Sequence, residues 1–184
     1  TAFDWSGCKR GMLSAHKIGG PKGVGALVVK KGEDVQDLFM GGGQESGRRS
    51  GTENIVGIAG FGAAAVRAQK DLQAGVWERV FHLRNLLEEG LEAITSEAIF
   101  IGRDLDRLPN TCCVIVPGWI GETAVMQMDI AGFAISSGSA CSSGVVKGSG
   151  VLEALGHSPE ITKCAIRVSL GPDNTEEEIL RFID

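Results

Sequence analysis

Apolar residues recur along the chain at spacings that separate its helices from its strands. Two long stretches repeat small or apolar residues every three or four positions and predict consecutive helices, Ile55–Gln73 and Val76–Ile94. The apolar stripe of the second helix consists of Val76, Val80, Leu83, Leu87, Leu91 and Ile94. The first helix contains three glycines, which indicate close packing against a neighbouring segment.

Shorter apolar runs bounded by glycine, proline or polar residues predict strands at 25–31, 98–101, 111–116, 133–136 and 165–170. Successive apolar residues in strand 25–31 predict burial on both of its faces. A further helix is predicted at 122–131, and two more begin at Ser158-Pro159 and at the capping box Thr175-Glu176-Glu177-Glu178. This order predicts an α/β chain in which the tail of one domain, 1–75, precedes an α+β or split α/β unit, 76–184.

The composition describes a globular protein able to bury a core, with 43% hydrophobic residues, 22% charged residues and a net charge of -5. The lack of a dense positive run argues against nucleic acid as a partner. No apolar run approaches the roughly 18 residues of a membrane span, so we expect no membrane partner. The five cysteines lack the paired spacing of metal sites, which favours no bound metal and reduced thiols in a cytoplasmic setting.

A lysine beside a glycine-rich turn is the first candidate for chemistry. Residues 14–25 read Ser-Ala-His-Lys-Ile-Gly-Gly-Pro-Lys-Gly-Val-Gly, so that Ser14 and His16 flank Lys17 with side chains able to face an anion. The amine of Lys17 becomes reactive toward carbonyl groups if burial or a nearby cation lowers its pKa. A strand–turn–strand with a solvated lysine is the alternative, and a motif this short favours it when taken alone.

A polar, glycine-rich loop of unusual length covers residues 41–54. Its arginine, serine and threonine side chains are suited to phosphate, and the backbone N–H groups of a helix beginning near Asn54 would add to them. Long loops in compact domains are often functional. Taken alone, such a loop is about as often an ordinary connection.

A second candidate for chemistry is Cys141, which lies in a segment, 136–150, where ten of fifteen residues are serine or glycine. That composition predicts flexibility, and an exposed thiol on a flexible segment is a candidate nucleophile. A linker that happens to contain a cysteine is the alternative. Cys8 and Cys164 lack such a setting and are interpreted as structural, and the Cys112-Cys113 pair inside an apolar run as buried strand residues.

Arg167 is a charge within an otherwise apolar strand. Burial of an unpaired charge is costly, so we expect its guanidinium to meet a carboxylate. That carboxylate belongs either to an acidic side chain of the protein or to a substrate held in a bidentate grip.

Four motifs in this order resemble the cysteine desulfurases of the class V aminotransferase family. They are residues 14–25 as quoted above, Gly-Arg-Arg-Ser-Gly-Thr-Glu-Asn (47–54), Ser-Ser-Gly-Ser-Ala-Cys-Ser-Ser-Gly (136–144) and Ile-Arg-Val-Ser-Leu-Gly (166–171). The resemblance implies a pyridoxal phosphate enzyme of fold type I that works as a homodimer. The long segment around Cys141 is similar to that of members that supply sulfur for iron–sulfur clusters, including nitrogenase-associated ones.

The resemblance implies a role for each residue of the cofactor site. Lys17 is expected to carry pyridoxal 5'-phosphate as an internal Schiff base and to move protons on the substrate. Ser14 and His16 are expected to bind its phosphate. Thr52 is similar to the residue that reaches the phosphate bound in the other subunit.

The resemblance also implies how the substrate is handled. Arg167 is expected to hold the α-carboxylate of L-cysteine. Cys141 is expected to attack the substrate sulfur, which leaves alanine and a persulfide for a sulfur-acceptor or iron–sulfur scaffold protein. Two alternatives stay open: a selenocysteine lyase or another class V lyase on the same scaffold, and a non-catalytic sulfur-carrier or scaffold half.

Relative to the family, the chain is expected to be the C-terminal half only. It would comprise the end of the large domain, with Lys17 and the Arg-Ser-Gly-Thr loop, and most of the small domain. The histidine that stacks on the cofactor ring and the aspartate that pairs with the pyridine nitrogen are expected in the missing half. We therefore expect the isolated chain to be inactive and to bind the cofactor weakly or not at all.

Overall fold

A computed structural model of the chain describes residues 6–37, 39–138 and 148–184. The polypeptide divides into two compact units, Thr1–Ala74 and Gly75–Asp184. None of the helices in the described part is long and apolar enough to cross a membrane. Assignment of the two units to a large and a small domain stays a prediction.

The first unit contains an antiparallel hairpin in which strand β1 (Arg10–Ser14) pairs with strand β2 (Gly25–Val29). A single 3₁₀ turn, Ala15–Ile18, follows β1 directly. Gly25 allows the two strands to approach, because a Cβ atom at this position would lie 2.5 Å from the carbonyl oxygen of Leu13. Strand β1 was predicted only as part of the strand–turn–strand alternative for this segment, since its own sequence, Arg-Gly-Met-Leu-Ser, does not alternate.

The predicted burial of strand 25–31 on both faces is wrong. Leu27 and Val28 of the shorter strand β2 are 50% and 40% exposed, and their neighbours Met12 and Leu13 on β1 are also exposed. Successive residues of a strand point to opposite faces, so both faces of the hairpin are open. The described residues of this unit supply only two strands, which are too few to bury a strand on both sides.

Helix α1 (Ile55–Gln73) begins and ends at the predicted residues. Asn54 caps it, because its side-chain oxygen accepts a hydrogen bond of 3.0 Å from the backbone N–H of Gly57. The close packing predicted from the glycines of this helix is found at Gly60, where a Cβ atom would lie 2.9 Å from Cγ of Pro21. The helix therefore packs against the segment that follows the 3₁₀ turn.

The described residues of the second unit, 75–138 and 148–184, form an antiparallel sheet and five helices. The strands lie in the order β3 (Ile99–Phe100), β4 (Thr111–Ile115), β6 (Ala165–Ser169) and β5 (Ser136–Ser137). The helices are α2 (Val76–Ile94), α3 (Gly121–Ile130), α4 (Gly150–Ala154), α5 (Pro159–Thr162) and α6 (Glu176–Ile183). Helix α2 has the predicted bounds, whereas the strand predicted at 133–136 begins only at its last residue.

Two sequence signals at helix starts have different outcomes. The capping box that opens α6 is confirmed, with Thr175 and Glu178 bonded reciprocally through side chain and backbone. Ser158 precedes α5 as predicted, and Pro159 is its first residue, but the Ser158 side chain makes no capping hydrogen bond.

The core of this unit lies on both faces of the sheet, and the two central strands contribute side chains to each face. Residues of the larger cluster come from one face and pack with α2 and α6; from the strands they are Cys112, Val114, Ile166 and Val168. Ile115 and Ala165 belong to the other face, where they pack with Leu152 and Cys164. Strand residues alternate in direction, so Cys113 and Arg167 lie on this second face.

A buried carboxylate joins α2 to the segment that leads into β4. The side chain of Glu88 is 3% exposed and accepts a hydrogen bond of 2.7 Å from Arg107, which also donates to the carbonyl oxygen of Thr111. Nε of Arg84 and Nε of Arg103 lie 4.0 and 3.9 Å from its carboxylate oxygens. A buried charge of this kind depends on its partners, because an unpaired ion in the interior is costly.

Replacement of Glu88 by glutamine is expected to lower the free energy of unfolding by about 3–5 kcal/mol, because it leaves the buried guanidinium of Arg84 and the half-buried guanidinium of Arg107 without their counter-charge. Urea unfolding followed by circular dichroism measures the change. Glu89→Gln is the matched control, since Glu89 is the exposed neighbour on the same helix, and its effect should stay within about 0.5 kcal/mol. Equal losses in the two variants would contradict the assignment.

Candidate active site

The turn that carries Lys17 is held by backbone contacts. Ala15 is fully buried; its N–H donates to the carbonyl oxygen of Val24 at 3.1 Å, and its own carbonyl accepts from the N–H of Gly20 at 2.9 Å. Gly19 ends the turn with φ of 82°, a left-handed conformation that favours glycine. Lys17 therefore projects from a backbone whose path is fixed on both sides.

Three polar side chains predicted to serve a cofactor lie together on this turn. His16 and Lys17 are exposed, and Ser14 is half-buried at the end of β1. Within the described part of the chain, none of the three side chains takes part in a hydrogen bond or an ion pair. A free primary amine beside a free hydroxyl and a free imidazole fits a ligand that has both an aldehyde and an anionic group.

The loop at 41–54 is braced by its own side chains. Arg49 donates through Nη1 to the carbonyl oxygens of Gly51 and Thr52, at 2.9 and 3.4 Å. The N–H of Gly51 donates in turn to the side-chain oxygen of Gln44 at 3.3 Å. Nη1 of Arg49 thus holds the backbone beside Thr52 through these two hydrogen bonds.

Two consecutive residues in this loop hold a strained backbone. Glu45 and Ser46 have φ of 50° and 58°, a left-handed region that costs non-glycine residues on the order of 1–3 kcal/mol each. They line a cleft of about 780 Å³ together with Arg48, Arg49 and Asn54. The loop that was predicted to suit phosphate therefore places two basic side chains, those of Arg48 and Arg49, against a cleft.

Thr52 is exposed near the end of this loop. No hydrogen bond joins its side chain to Ser14, His16 or Lys17 in the described residues. The role of Thr52 in the site of another subunit stays a prediction.

Arg167 lies on the central strand β6 of the second unit and is half-buried. Within the described residues its guanidinium forms no ion pair or hydrogen bond, so the expected acidic partner within the protein is not found there. An unpaired, half-buried guanidinium is open to a carboxylate from outside the chain.

Cys113 is a neighbour of this arginine that the sequence did not indicate. It faces Arg167 directly across the β4–β6 ladder, and Ser136 faces Arg167 from the other side on β5. Only the register of the strands brings these residues together, so no motif in the sequence signals the contact. Cys113 and Arg167 are more than fifty positions apart in the sequence.

The remaining cysteines divide by burial. Cys112 and Cys164 are buried, as predicted for a strand residue and a structural residue. The predicted burial of Cys113 is wrong, because Cys113 lies on the other face of β4 and is half-buried, as is Cys8. Burial above all, and then the nearby Glu88 carboxylate, raise the pKa of the Cys112 thiol far above its usual range. Cys141, the predicted nucleophile, lies in 139–147, outside the described residues.

The chain belongs to the aminotransferase class-V family, whose model matches residues 5–182. The family predicted from the four motifs is thereby confirmed. The mixed α/β architecture of the chain also resembles solved structures of NifS-like proteins.

Individual relatives sharpen this assignment. The cysteine desulfurase of Cereibacter sphaeroides is 46% identical over 172 residues, which are 94% of this chain and 43% of that protein. The structure of a NifS-like protein is 36% identical with a TM-score of 0.82, over 95% of this chain and 44% of that one. The structure of SspA in complex with cysteine is 30% identical with a TM-score of 0.60, over 91% and 45%. The chain thus spans less than half the length of these relatives, and its correspondence to their C-terminal half stays a prediction.

Replacement of Arg49 by methionine is expected to loosen the loop at 41–54, because the brace on the carbonyl oxygens of Gly51 and Thr52 is lost. The loss of about 1 kcal/mol should raise cleavage after Glu45 by a glutamate-specific protease roughly fivefold. Arg48→Met is the matched control, since Arg48 is exposed and its side chain makes no hydrogen bond with described residues. Equal cleavage of the two variants would show that Arg49 does not hold the loop.

Proposed function

We propose that the intact protein to which this chain belongs is a pyridoxal phosphate-dependent cysteine desulfurase. It converts L-cysteine to L-alanine and retains the sulfur as a persulfide for transfer to an iron–sulfur cluster assembly partner. The observation that carries the proposal furthest is the free amine of Lys17 on a fixed turn, beside Ser14 and His16. The relatives support it, since one is a cysteine desulfurase and another has been solved with cysteine.

The residues on the turn fit pyridoxal 5'-phosphate. The Lys17 amine matches its aldehyde, and Ser14 and His16 supply hydrogen-bonding groups for its phosphate. Thr52 is proposed to reach the phosphate of the partner subunit in a homodimer. When bound, this cofactor supplies an electron sink for the α-carbon of an amino acid.

Lys17 is proposed to move a proton at the substrate α-carbon through its Nζ atom. Arg167 holds the substrate α-carboxylate, since its guanidinium has no partner among the described residues and suits a bidentate carboxylate. The grip fixes the substrate's orientation before any bond changes.

Cys141 is proposed to take the sulfur. Its thiolate forms a bond to the substrate sulfur while the bond between that sulfur and the β-carbon breaks. The electron pair stays with the carbon fragment, which leaves as alanine after protonation. The serine- and glycine-rich sequence around Cys141 suits a thiol that must also meet an external acceptor protein in the cytoplasm.

The hairpin supports a fold type I large domain that continues beyond this chain, followed by a small α+β domain within it. Met12 and Leu27 pair across the hairpin with 85% and 50% of their surface exposed. Apolar strands with two open faces are typical of the interior of a larger sheet. We therefore propose that the 184-residue chain alone neither binds the cofactor stably nor turns over cysteine.

Replacement of Lys17 by alanine in the intact protein is expected to remove the covalent attachment of the cofactor and to lower alanine production about 10²–10⁴-fold, because the amine is both tether and proton carrier. Borohydride reduction followed by peptide mass analysis identifies the modified lysine, and amino-acid analysis measures alanine. The matched control is Lys22→Ala, since Lys22 lies five positions after Lys17 and is also exposed. Label on Lys22, or full activity of Lys17→Ala, would overturn the proposal.

Replacement of Arg167 by glutamine is expected to lower kcat/KM for L-cysteine roughly ten- to a hundredfold, because a charge-assisted contact of about 1.5–3 kcal/mol is lost. The lysine that precedes strand β6 provides the control: Lys163 is exposed, and Lys163→Gln should leave kcat/KM unchanged. Steady-state kinetics and the apparent affinity for L-alanine measure the effect. An Arg167→Gln enzyme that binds L-alanine as tightly as the parent would exclude Arg167 as the carboxylate ligand.

A further inference from the structure

One glycine of helix α1 lies against the segment that follows the Lys17 turn. A Cβ atom at Gly60 would lie 2.9 Å from Cγ and 3.0 Å from Cδ of Pro21. Carbon atoms in ordinary contact are about 3.5–4.0 Å apart. An alanine could therefore occupy position 60 only if the helix or the segment at Pro21 moved.

The helix itself gives no reason for a glycine at this position, because glycine inside a helix is destabilising by roughly 0.5–1 kcal/mol relative to alanine. Gly62, two positions further along α1, provides the contrast. It is exposed, and a Cβ atom there would have no neighbour within 4 Å. Of these two glycines, only Gly60 is required by a close contact.

Pro21 cannot rotate away from the helix. Its side chain is a ring that closes on its own backbone nitrogen and fixes φ near −65°. A displacement of Cγ or Cδ therefore displaces the backbone at position 21 and, through the peptide bond, that of Gly20. The N–H of Gly20 donates to the carbonyl oxygen of Ala15 at 2.9 Å, and this hydrogen bond spans the 3₁₀ turn that contains Lys17.

The turn has little room in which to absorb such a displacement. Ala15 is fully buried, and its N–H donates to the carbonyl oxygen of Val24 at 3.1 Å. A Cβ atom at Gly20 would lie only 3.0 Å from both Cβ and the carbonyl oxygen of Ala15. Because closely packed segments transmit strain, movement of Pro21 is expected to disturb the backbone on both sides of Lys17.

We propose that Gly60 is a positioning residue for Lys17. Its missing side chain lets helix α1 pack directly against Pro21, and this contact holds the turn so that the lysine amine is presented in one place. Gly60 acts through Pro21 and Gly20, so its role requires no contact with cofactor or substrate. The inference rests on the proposed function, in which Lys17 attaches pyridoxal 5'-phosphate.

Replacement of Gly60 by alanine in the intact protein is expected to loosen the turn. In protein freed of cofactor, hydrogen exchange at the N–H of Gly20, measured by mass spectrometry, should become roughly five- to tenfold faster, because its hydrogen bond to Ala15 is weakened. The apparent dissociation constant of pyridoxal 5'-phosphate, measured by absorbance titration, should rise on the order of tenfold, which corresponds to about 1.4 kcal/mol.

Gly62→Ala is the matched control on the same helix. It should leave both the exchange rate of the Gly20 N–H and the cofactor affinity unchanged. Since an exposed helical glycine is replaced without a clash, its free energy of unfolding in urea should rise by about 0.5–1 kcal/mol. Circular dichroism verifies the fold of each variant.

Pro21→Ala tests the contact itself, because it removes Cγ and Cδ and keeps Cβ. The Cβ atom of Pro21 lies 4.0 Å from the Cβ position at Gly60, which is an ordinary contact distance. The double variant Gly60→Ala/Pro21→Ala is therefore expected to bind the cofactor more tightly than Gly60→Ala and about as tightly as Pro21→Ala. If Gly60→Ala alone is unfolded, the double variant should regain the fold.

Three results would overturn the inference: equal effects of Gly60→Ala and Gly62→Ala, a double variant no better than Gly60→Ala, and faster exchange at Gly20 with unchanged cofactor affinity. Borohydride reduction and peptide mass analysis separate this inference from the proposed function. A cofactor label on a residue other than Lys17 would contradict the proposed function, whereas a Gly60→Ala protein labelled at Lys17 with parental affinity would contradict only the role of Gly60.

Discussion

The buried Glu88 carboxylate is the interaction on which the second unit depends. Its partner Arg107 also holds the first residue of β4 through a carbonyl oxygen, so the ion pair connects the longest helix of the unit to a central strand. Strand β4 in turn sets the position of β6 through five paired residues. The Glu88 carboxylate on helix α2 is therefore connected, through Arg107 and strand β4, to the strand that carries Arg167.

The first unit is held together by different interactions. Its turn is fixed by backbone hydrogen bonds around a buried alanine and by a helix that approaches closely at Gly60. Its hairpin, in contrast, leaves apolar side chains uncovered on both faces. A reactive amine can thus be held in place locally while the surroundings that would tune its chemistry are supplied by other parts of a protein.

Periodicity predicted the two long helices to the residue, because the three- and four-residue spacing of small or apolar residues is a local signal. Strand β1 was predicted only as part of the strand–turn–strand alternative, because its own sequence does not alternate between apolar and polar residues. The expectation for Leu27 and Val28 was wrong because the burial of a strand depends on what packs beside it, and their apolar pattern requires a larger sheet than the described residues provide.

The site shows the same division between local and distant information. Four motifs were enough to predict the roles of Lys17 and Arg167 as hypotheses and to identify the family, which is confirmed. The row that joins Cys113, Arg167 and Ser136 was beyond sequence reasoning, because it arises from strand register between segments far apart in the chain. Cys141 lies outside the described residues, so its role rests on resemblance.

The alternation of side-chain direction along β6 affects how strictly β6 must pair with β4 in the observed register. A slip of one residue between β6 and β4 would turn every β6 side chain to the opposite face. Arg167 would then enter the apolar cluster that Ile166 and Val168 now fill, and an unpaired guanidinium there would be strongly unfavourable. The charge of Arg167 therefore makes this nearest wrong pairing of β6 with β4 unfavourable.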